Sequence, residues 1–201
     1  MPFEVLRQSA YRRMKWKNGL GETAEVAIYP PAASLDAFDW RVSMARVEAD
    51  GPFSPFAGFD RTLAVLSGSG IRLILQGRAA VDLDGGSNPY SFPADIACTA
   101  SVGGGGITDL NVMTRRGRCW HRVRRIAGGG FDVLDVVDGR LETMLVAAGP
   151  EAAHIRCGSE QIVLAPLDAI RMGGGSRRCE IEIAPAAGLL LVEIGAGELE
   201  P

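Results

Sequence analysis

Phe38-Asp39-Trp40-Arg41-Val42-Ser43-Met44-Ala45-Arg46-Val47, followed by Asp50-Gly51-Pro52-Phe53-Ser54-Pro55-Phe56 and then Asp60-Arg61, is the stretch from which the fold is read. The first piece has the composition of a strand. Side chains alternate between the two faces of a strand, so Trp40, Val42 and Met44 share one side while Arg41, Ser43, Ala45 and Val47 share the other. One face therefore carries a cation and a hydroxyl beside apolar packing. Pro52 and Pro55 have no N–H for a ladder and fix their own backbone angles, which stiffens the following corner and aims Phe53 and Phe56 in defined directions. A strand with a polar inward pattern, joined by an aromatic corner to a second arginine-bearing strand, reads as the rim of a pocket in a β protein.

Working outward, short strand-like runs recur on both sides. Glu22 to Tyr29 alternates, with Thr23, Glu25 and Ala27 on one face and Ala24, Val26 and Ile28 on the other. Pro30-Pro31 ends it, and Ser34 to Ala37 reads as a turn capped by Ser34. Thr62 to Leu66, Ile71 to Gln76, Ala79 to Leu83 and Ile107 to Met113 follow, separated by Ser67-Gly68-Ser69-Gly70, Gly77 and Asp84-Gly85-Gly86. Arg118 to Arg124 is another candidate strand. Beyond Gly128-Gly129-Gly130, Phe131 to Val137 and Arg140 to Ala147 flank Asp138-Gly139, the composition of a two-residue hairpin turn. Ala153 to Cys157, Gln161 to Leu164, Cys179 to Ala184 and Leu189 to Ile194 close the chain. The first residues, Phe3 to Arg13, fit either a strand or one helical turn.

Almost no segment sustains helical periodicity over about 11 residues or more, roughly the shortest window in which a helix can be read. Short strands with glycine-rich turns point to sandwiches or barrels rather than alternating βα units. The chain is all-β, and the glycine break near position 129 divides it into units over residues 1–125 and 126–201.

Composition bounds the function. With 201 residues, 47% hydrophobic and 22% charged, the chain can bury a substantial core, and its net charge of -3 gives no broad basic field to attract nucleic acid. No apolar run approaches the roughly 20 residues of a membrane-spanning helix, and the N-terminus lacks an apolar signal core, so the expectation is a cytoplasmic protein without membrane attachment. Cys98, Cys119, Cys157 and Cys179 are widely spaced and form no Cys-x-x-Cys pair. They are expected to be reduced, packed thiols.

Several motifs in order, Trp16-Lys17-Asn18-Gly19-Leu20-Gly21-Glu22-Thr23, Phe38-Asp39-Trp40-Arg41-Val42-Ser43, Asp50-Gly51-Pro52-Phe53-Ser54, Asp60-Arg61 and Asp109-Leu110-Asn111-Val112-Met113, resemble the HutD/Ves family. They cover about the first 115 residues. Leu20 and Ala94 depart from the family pattern, which usually has glycine at both positions. The resemblance implies an RmlC-like cupin fold, a double jelly-roll or bicupin in one chain. It also implies an accessory or regulatory role in bacterial histidine utilisation, with a small acid such as urocanate, formate, or a formyl or formimino derivative of glutamate as ligand.

A metal-dependent cupin needs about three histidines and a carboxylate, with two histidines one residue apart on a strand. This chain has only His121 and His154 and no His-x-His, so neither a metal nor another cofactor is expected. A histidine base of the kind used by metal-free cupin epimerases would have to be one of these two.

What remains is anion recognition. Arg41 and Arg61 each offer a planar fork to a carboxylate, Lys17 adds a point charge, and Asn18, Thr23, Ser43 and Asn111 supply neutral donors and acceptors. Trp16, Trp40 and Phe53 are candidate walls for an imidazole-sized or acyl group. These residues also have plainer readings: Arg41 in an internal network with Glu25 or Asp109, Arg61 paired at the surface with Asp60, Lys17-Asn18-Gly19 as a simple turn, and the tryptophans as core. Residue chemistry alone supports a polar, cation-bearing pocket for a small carboxylate. Two alternatives stay open: a metal-independent isomerase, epimerase or hydrolase acting on a similar acid, and an interaction module using the run Arg115-Arg116-Gly117-Arg118 with Arg122, Arg124 and Arg125. A homodimer is a further expectation, since open β edges are often buried against a second copy.

Overall fold

The computed structural model describes residues 3–126, 129–136, 140–157, 159–173, 177–183 and 188–198. From the N-terminus come β1 (Phe3–Leu6), a single 3-10 turn (Gln8–Ala10), β2 (Arg12–Lys15), β3 (Gly21–Tyr29), β4 (Trp40–Val47), β5 (Gly51–Pro52) and β6 (Phe59–Gly68). Next are β7 (Ile71–Leu75), β8 (Val81–Leu83), β9 (Tyr90–Pro93), β10 (Cys98–Val102), β11 (Ile107–Arg115) and β12 (Cys119–Ile126). The remaining strands are β13 (Gly130–Val136), β14 (Arg140–Ala147), β15 (Ala153–Cys157), β16 (Glu160–Leu164), β17 (Ala169–Met172), β18 (Arg177–Ile183) and β19 (Leu189–Ala196). No helix among the described residues is long and apolar enough to cross a membrane.

The strands form two compact units. One comprises Tyr11–Trp120 with Gly197–Pro201, and the other Met1–Ala10 with His121–Ala196. In the Tyr11–Trp120 unit a six-stranded antiparallel sheet runs β2-β3-β4-β11-β6-β9 and a four-stranded one runs β5-β10-β7-β8. Ala45, Leu63 and Val65 from the larger sheet pack with Leu73, Leu75, Cys98 and Ala100 from the smaller, so the core lies between the two. In β7 the residue pattern dictates this directly: Ile71, Leu73 and Leu75 are buried, whereas Arg72 and Ile74 between them are exposed. β6 is instead buried on both faces from Arg61 to Leu66, as a central strand must be, and its apolar run loses the alternation.

The other unit repeats the two-sheet plan, with β1-β17-β14-β19-β12 and β13-β18-β15-β16. Its described residues include a large apolar cluster, with Leu145, Ile155, Leu164, Ile170, Ile181, Leu189 and Leu191 among others.

Four sequence expectations change. Phe3–Leu6 pairs with β17, Phe3 opposite Met172, so the N-terminal strand belongs to the unit formed by the end of the chain and not to residues 1–125. The Asp138-Gly139 turn lies outside the described residues, and its flanking strands do not form a hairpin: β13 pairs with β18 while β14 pairs with β17 and β19, in a different sheet. Strict alternation in β3 fails after Glu25, because a bulge leaves Glu25 opposite Ser43 and Ala27 opposite Val42. Cys98 and Cys119 are free and buried, whereas Cys179 is disulfide-bonded, contrary to four reduced thiols.

Candidate functional site

Antiparallel register places the polar residues of the Tyr11–Trp120 unit in rows across neighbouring strands. Arg41 on β4 stands opposite Met113 on β11, Met113 opposite Arg61 on β6, and Arg61 opposite Phe92 on β9. The next row runs Glu25, Ser43, Asn111 and Leu63, and the row after it Thr23, Ala45, Asp109 and Val65. A second bulge, between Thr108 and Asp109 in the pairing with β6, precedes Asp109 and resets its row.

This sheet face lines a cavity of about 560 Å³ with Arg41, Ser43, Arg61, Asn111 and Met113. Lys17, Asn18, Leu20 and Thr23 line it from the β2–β3 side, and Pro52, Phe53, Ser54 and Phe56 from the proline corner. The volume suits a small organic molecule. Gly19 turns the Lys17–Leu20 loop with φ of 71°, and the Asn18 side-chain oxygen accepts the Leu20 N–H at 3.1 Å. Gly21 has no room for a side chain, since a Cβ would run into the Arg46 carbonyl and lie 3.0 Å from the Trp16 ring. Trp16 in turn donates its indole N–H to Thr23 Oγ1 at 2.8 Å.

Eight of the nine expected site residues line this cavity: Lys17, Asn18, Thr23, Arg41, Ser43, Phe53, Arg61 and Asn111. Trp40 does not. It shares the strand face of Val42 and Met44, opposite to Arg41, is 2% exposed and stacks on Tyr29 with ring centroids 6.0 Å apart. Leu20, Phe56 and Met113 line the cavity without having been singled out. The signal for Met113 was its shared parity with Asn111, and that for Phe56 its place in the stiff corner.

The two arginines differ in their surroundings. Arg41 donates from Nε to Glu25 Oε2 at 2.9 Å, an ion pair almost wholly withdrawn from solvent. Arg61 is 4% exposed and has no carboxylate partner among the described residues, so the surface pair with Asp60 does not form. Its guanidinium lies 5.2, 5.4 and 5.9 Å from the ring centres of Phe53, Phe56 and Phe92, and Nη2 donates to the Ser54 carbonyl at 3.4 Å. Burial lowers its pKa to about 10, with Asp109 opposing and Arg41 reinforcing the shift, so it remains a cation at neutral pH.

Asp109 is fully buried beneath these groups. Its Oδ1 accepts a short hydrogen bond from Asn111 Nδ2. Burial raises its pKa to about 7, against the pull of Arg61, the Ala45 backbone N–H and Asn111.

Four buried side-chain atoms lack a hydrogen-bond partner among the described residues: Arg41 Nη2, Arg61 Nε, Asp109 Oδ2 and Asn111 Oδ1. All four belong to this one cluster. Leaving a buried polar atom unpaired costs roughly 1–3 kcal/mol, so two donors and two acceptors left unpaired in one cluster are a concentrated cost.

The other candidate features fare differently. His121 and His154 lie in the other unit and neither lines the cavity. Among the described residues no group of three or more His, Cys, Asp or Glu is placed to hold a metal ion. In the arginine run, Arg116 pairs with Asp95, and Arg115 and Arg118 reach Asp39 at 3.6 and 2.9 Å. Those charges are neutralised within their own unit.

A family model described as HutD matches residues 8–191. The chain belongs to the HutD family. It is similar to an uncharacterized 21.2 kDa protein in the hutC 3' region of Pseudomonas putida, 29% identical over 181 residues that cover 90% of this chain and 92% of that one. Among solved structures it resembles a conserved protein of unknown function from Pseudomonas aeruginosa PAO1, at 28% identity and TM-score 0.84 over 96% of this chain and 98% of the other. HutD from Pseudomonas fluorescens SBW25, solved in a formate condition, matches at 24% identity and TM-score 0.80 over 98% and 100%. The two-unit architecture extends to an oxalate decarboxylase at TM-score 0.62 and 8% identity, with 98% of this chain and 78% of that one covered, a likeness of fold alone. The HutD fold here is thus a bicupin, and the family is one associated with histidine utilisation.

Proposed function

We propose that this protein is an accessory factor of histidine utilisation that binds a small carboxylate in the cavity of the Tyr11–Trp120 unit. The observation that carries the reading is the pair of unpartnered buried donors, Arg41 Nη2 and Arg61 Nε, on two guanidinium groups that line one cavity. A carboxylate drawn to these guanidinium groups is held by charge-assisted hydrogen bonds, with a small turn of either side chain bringing the unpartnered donor to it. Phe53, Phe56 and Leu20 supply an apolar wall, and the unpaired Asn111 oxygen is an acceptor for a donor elsewhere on the ligand. The formate condition in which the Pseudomonas fluorescens HutD structure was solved is consistent with a small acid as ligand.

The role read here is sensing, in which the acid is bound and not turned over. Titration calorimetry of the metal-stripped protein with urocanate, formate, N-formylglutamate and formiminoglutamate, followed by a product assay, tests both points. Saturable binding without product is the expected result, with Arg61→Ala losing about 2 kcal/mol, or roughly 30-fold in affinity. Turnover would replace the sensor with an enzyme. Unchanged affinity in a folded Arg61→Ala protein would remove the guanidinium from the site.

A further inference from the structure

We propose that Asp109 makes anion binding in this cavity proton-linked: its carboxylate takes up a proton as an acid's anion comes to Arg41 and Arg61. The inference rests on the carboxylate reading above and adds the regulation of that site. Asp109 has no exposed surface and does not line the cavity, so it is a positioning residue that acts through its neighbours. One of its oxygens holds the Asn111 amide, which leaves Asn111 Oδ1 unpaired. Its other oxygen has no partner, and no direct ion pair joins it to Arg61, whose Nε is likewise unpaired. The charged group that acts on it is Arg61 from β6, and Arg61 in turn feels Cys98 from β10 and Arg41 from β4, to which Glu25 of β3 is bonded.

In this arrangement the field of Arg61 helps keep Asp109 ionised. An arriving anion brings a second negative charge to the same guanidinium and cancels part of that field. Two carboxylates competing for one buried cation cannot both stay ionised at the usual cost, and Asp109, the one sealed from water, accepts the proton. Burial already holds its pKa at about 7, so the displacement falls in the physiological range. The sign follows. Below that pKa the carboxyl is protonated before the anion arrives and affinity is constant. Above it each bound anion draws in a proton, and affinity falls by up to about tenfold per pH unit.

The test is calorimetry with formate, which stays ionised throughout, from pH 6 to pH 9 in two buffers of different ionisation enthalpy. It is paired with a carbon-13 titration of the Asp109 carboxyl in the full chain, with and without formate. The expected result is proton uptake above pH 7, affinity declining with pH, and a carboxyl midpoint raised by formate. Asp109→Asn, which keeps an acceptor for Asn111, should bind with a flat pH profile; a purely structural role would instead lower affinity equally at every pH. If that variant fails to fold, the wild-type carboxyl midpoint decides alone. Saturable binding with constant affinity from pH 6 to pH 9, or a midpoint that formate does not move, overturns the linkage and leaves the carboxylate reading standing. No saturable formate binding at any pH, with no binding of the other three acids, overturns both.

Discussion

Asp109 is the residue whose chemistry is furthest from its ordinary state. A carboxyl with a folded-state pKa near 7, against an ordinary value of 3.8, binds its proton more tightly in the native protein than in the unfolded chain. Its contribution to stability is therefore fully present below about pH 4 and is lost as the pH rises through about 7. Asparagine at this position keeps the shape without the ionisation. Relative to Asp109→Asn, the wild type should be destabilised as the pH goes from 4 to 8, by up to about 4 kcal/mol. Urea denaturation of both proteins at the two pH values measures this directly. A difference that stays constant would mean that Asp109 ionises at an ordinary pH and that the cavity floor is far more hydrated than its burial implies. Arg61 works in the opposite sense and outside this window, because its lowered pKa of about 10 still leaves it charged.

At the scale of elements, the two faces of β4 do different work. Arg41 and Ser43 face the cavity, whereas Trp40 packs away from it against Tyr29. Trp40→Phe should thus lower stability by about 1–2 kcal/mol, through lost packing, and leave acid affinity within about twofold. A denaturation curve and one binding titration separate the two effects; a large loss of affinity with intact stability would put Trp40 at the site after all. The parity of β4 was readable from the sequence because its own strand is regular and its register with β11 is unbroken from Trp40 to Val47. In β3 the same rule failed at the bulge after Glu25, which inserts one residue and turns Ile28 towards Met113 and the phenylalanine cluster. Nothing local in Glu22 to Tyr29 signals that insertion. Short strands such as Tyr90–Pro93 and Cys98–Val102 also escaped notice, since their pairing with β6 and β7 rests on partners distant in sequence. The pairing of Phe3–Leu6 with β17 is the extreme case, joining the two ends of the chain.

Across the whole molecule, one plan of two antiparallel sheets is used twice with opposite interiors. The Tyr11–Trp120 unit carries the four unpartnered polar atoms around an open cavity. Among the described residues of the other unit the buried carboxylates Glu142 and Asp168 are engaged by Arg171 and Arg7, and a large cluster of leucine and isoleucine forms the core. Packed apolar side chains stabilise their own sheets and give a charged ligand no hydrogen bonds. Binding should therefore order one unit and not the other. Hydrogen exchange with a saturating acid should slow for amides of β4, β6 and β11, whose side chains line the cavity, and stay unchanged in β14, β17 and β19. Equal protection in both sets would mean that the carboxylate site communicates with the second barrel or lies within it. The N-terminal strand makes a separate check possible. Because β1 is an edge strand of the second unit's larger sheet, cutting the chain at residue 125 strips that sheet of a strand. The exchange experiment has to be done on the intact chain, where protection confined to β4, β6 and β11 assigns ligand binding to the unit in which Arg41 and Arg61 each keep an unpartnered donor.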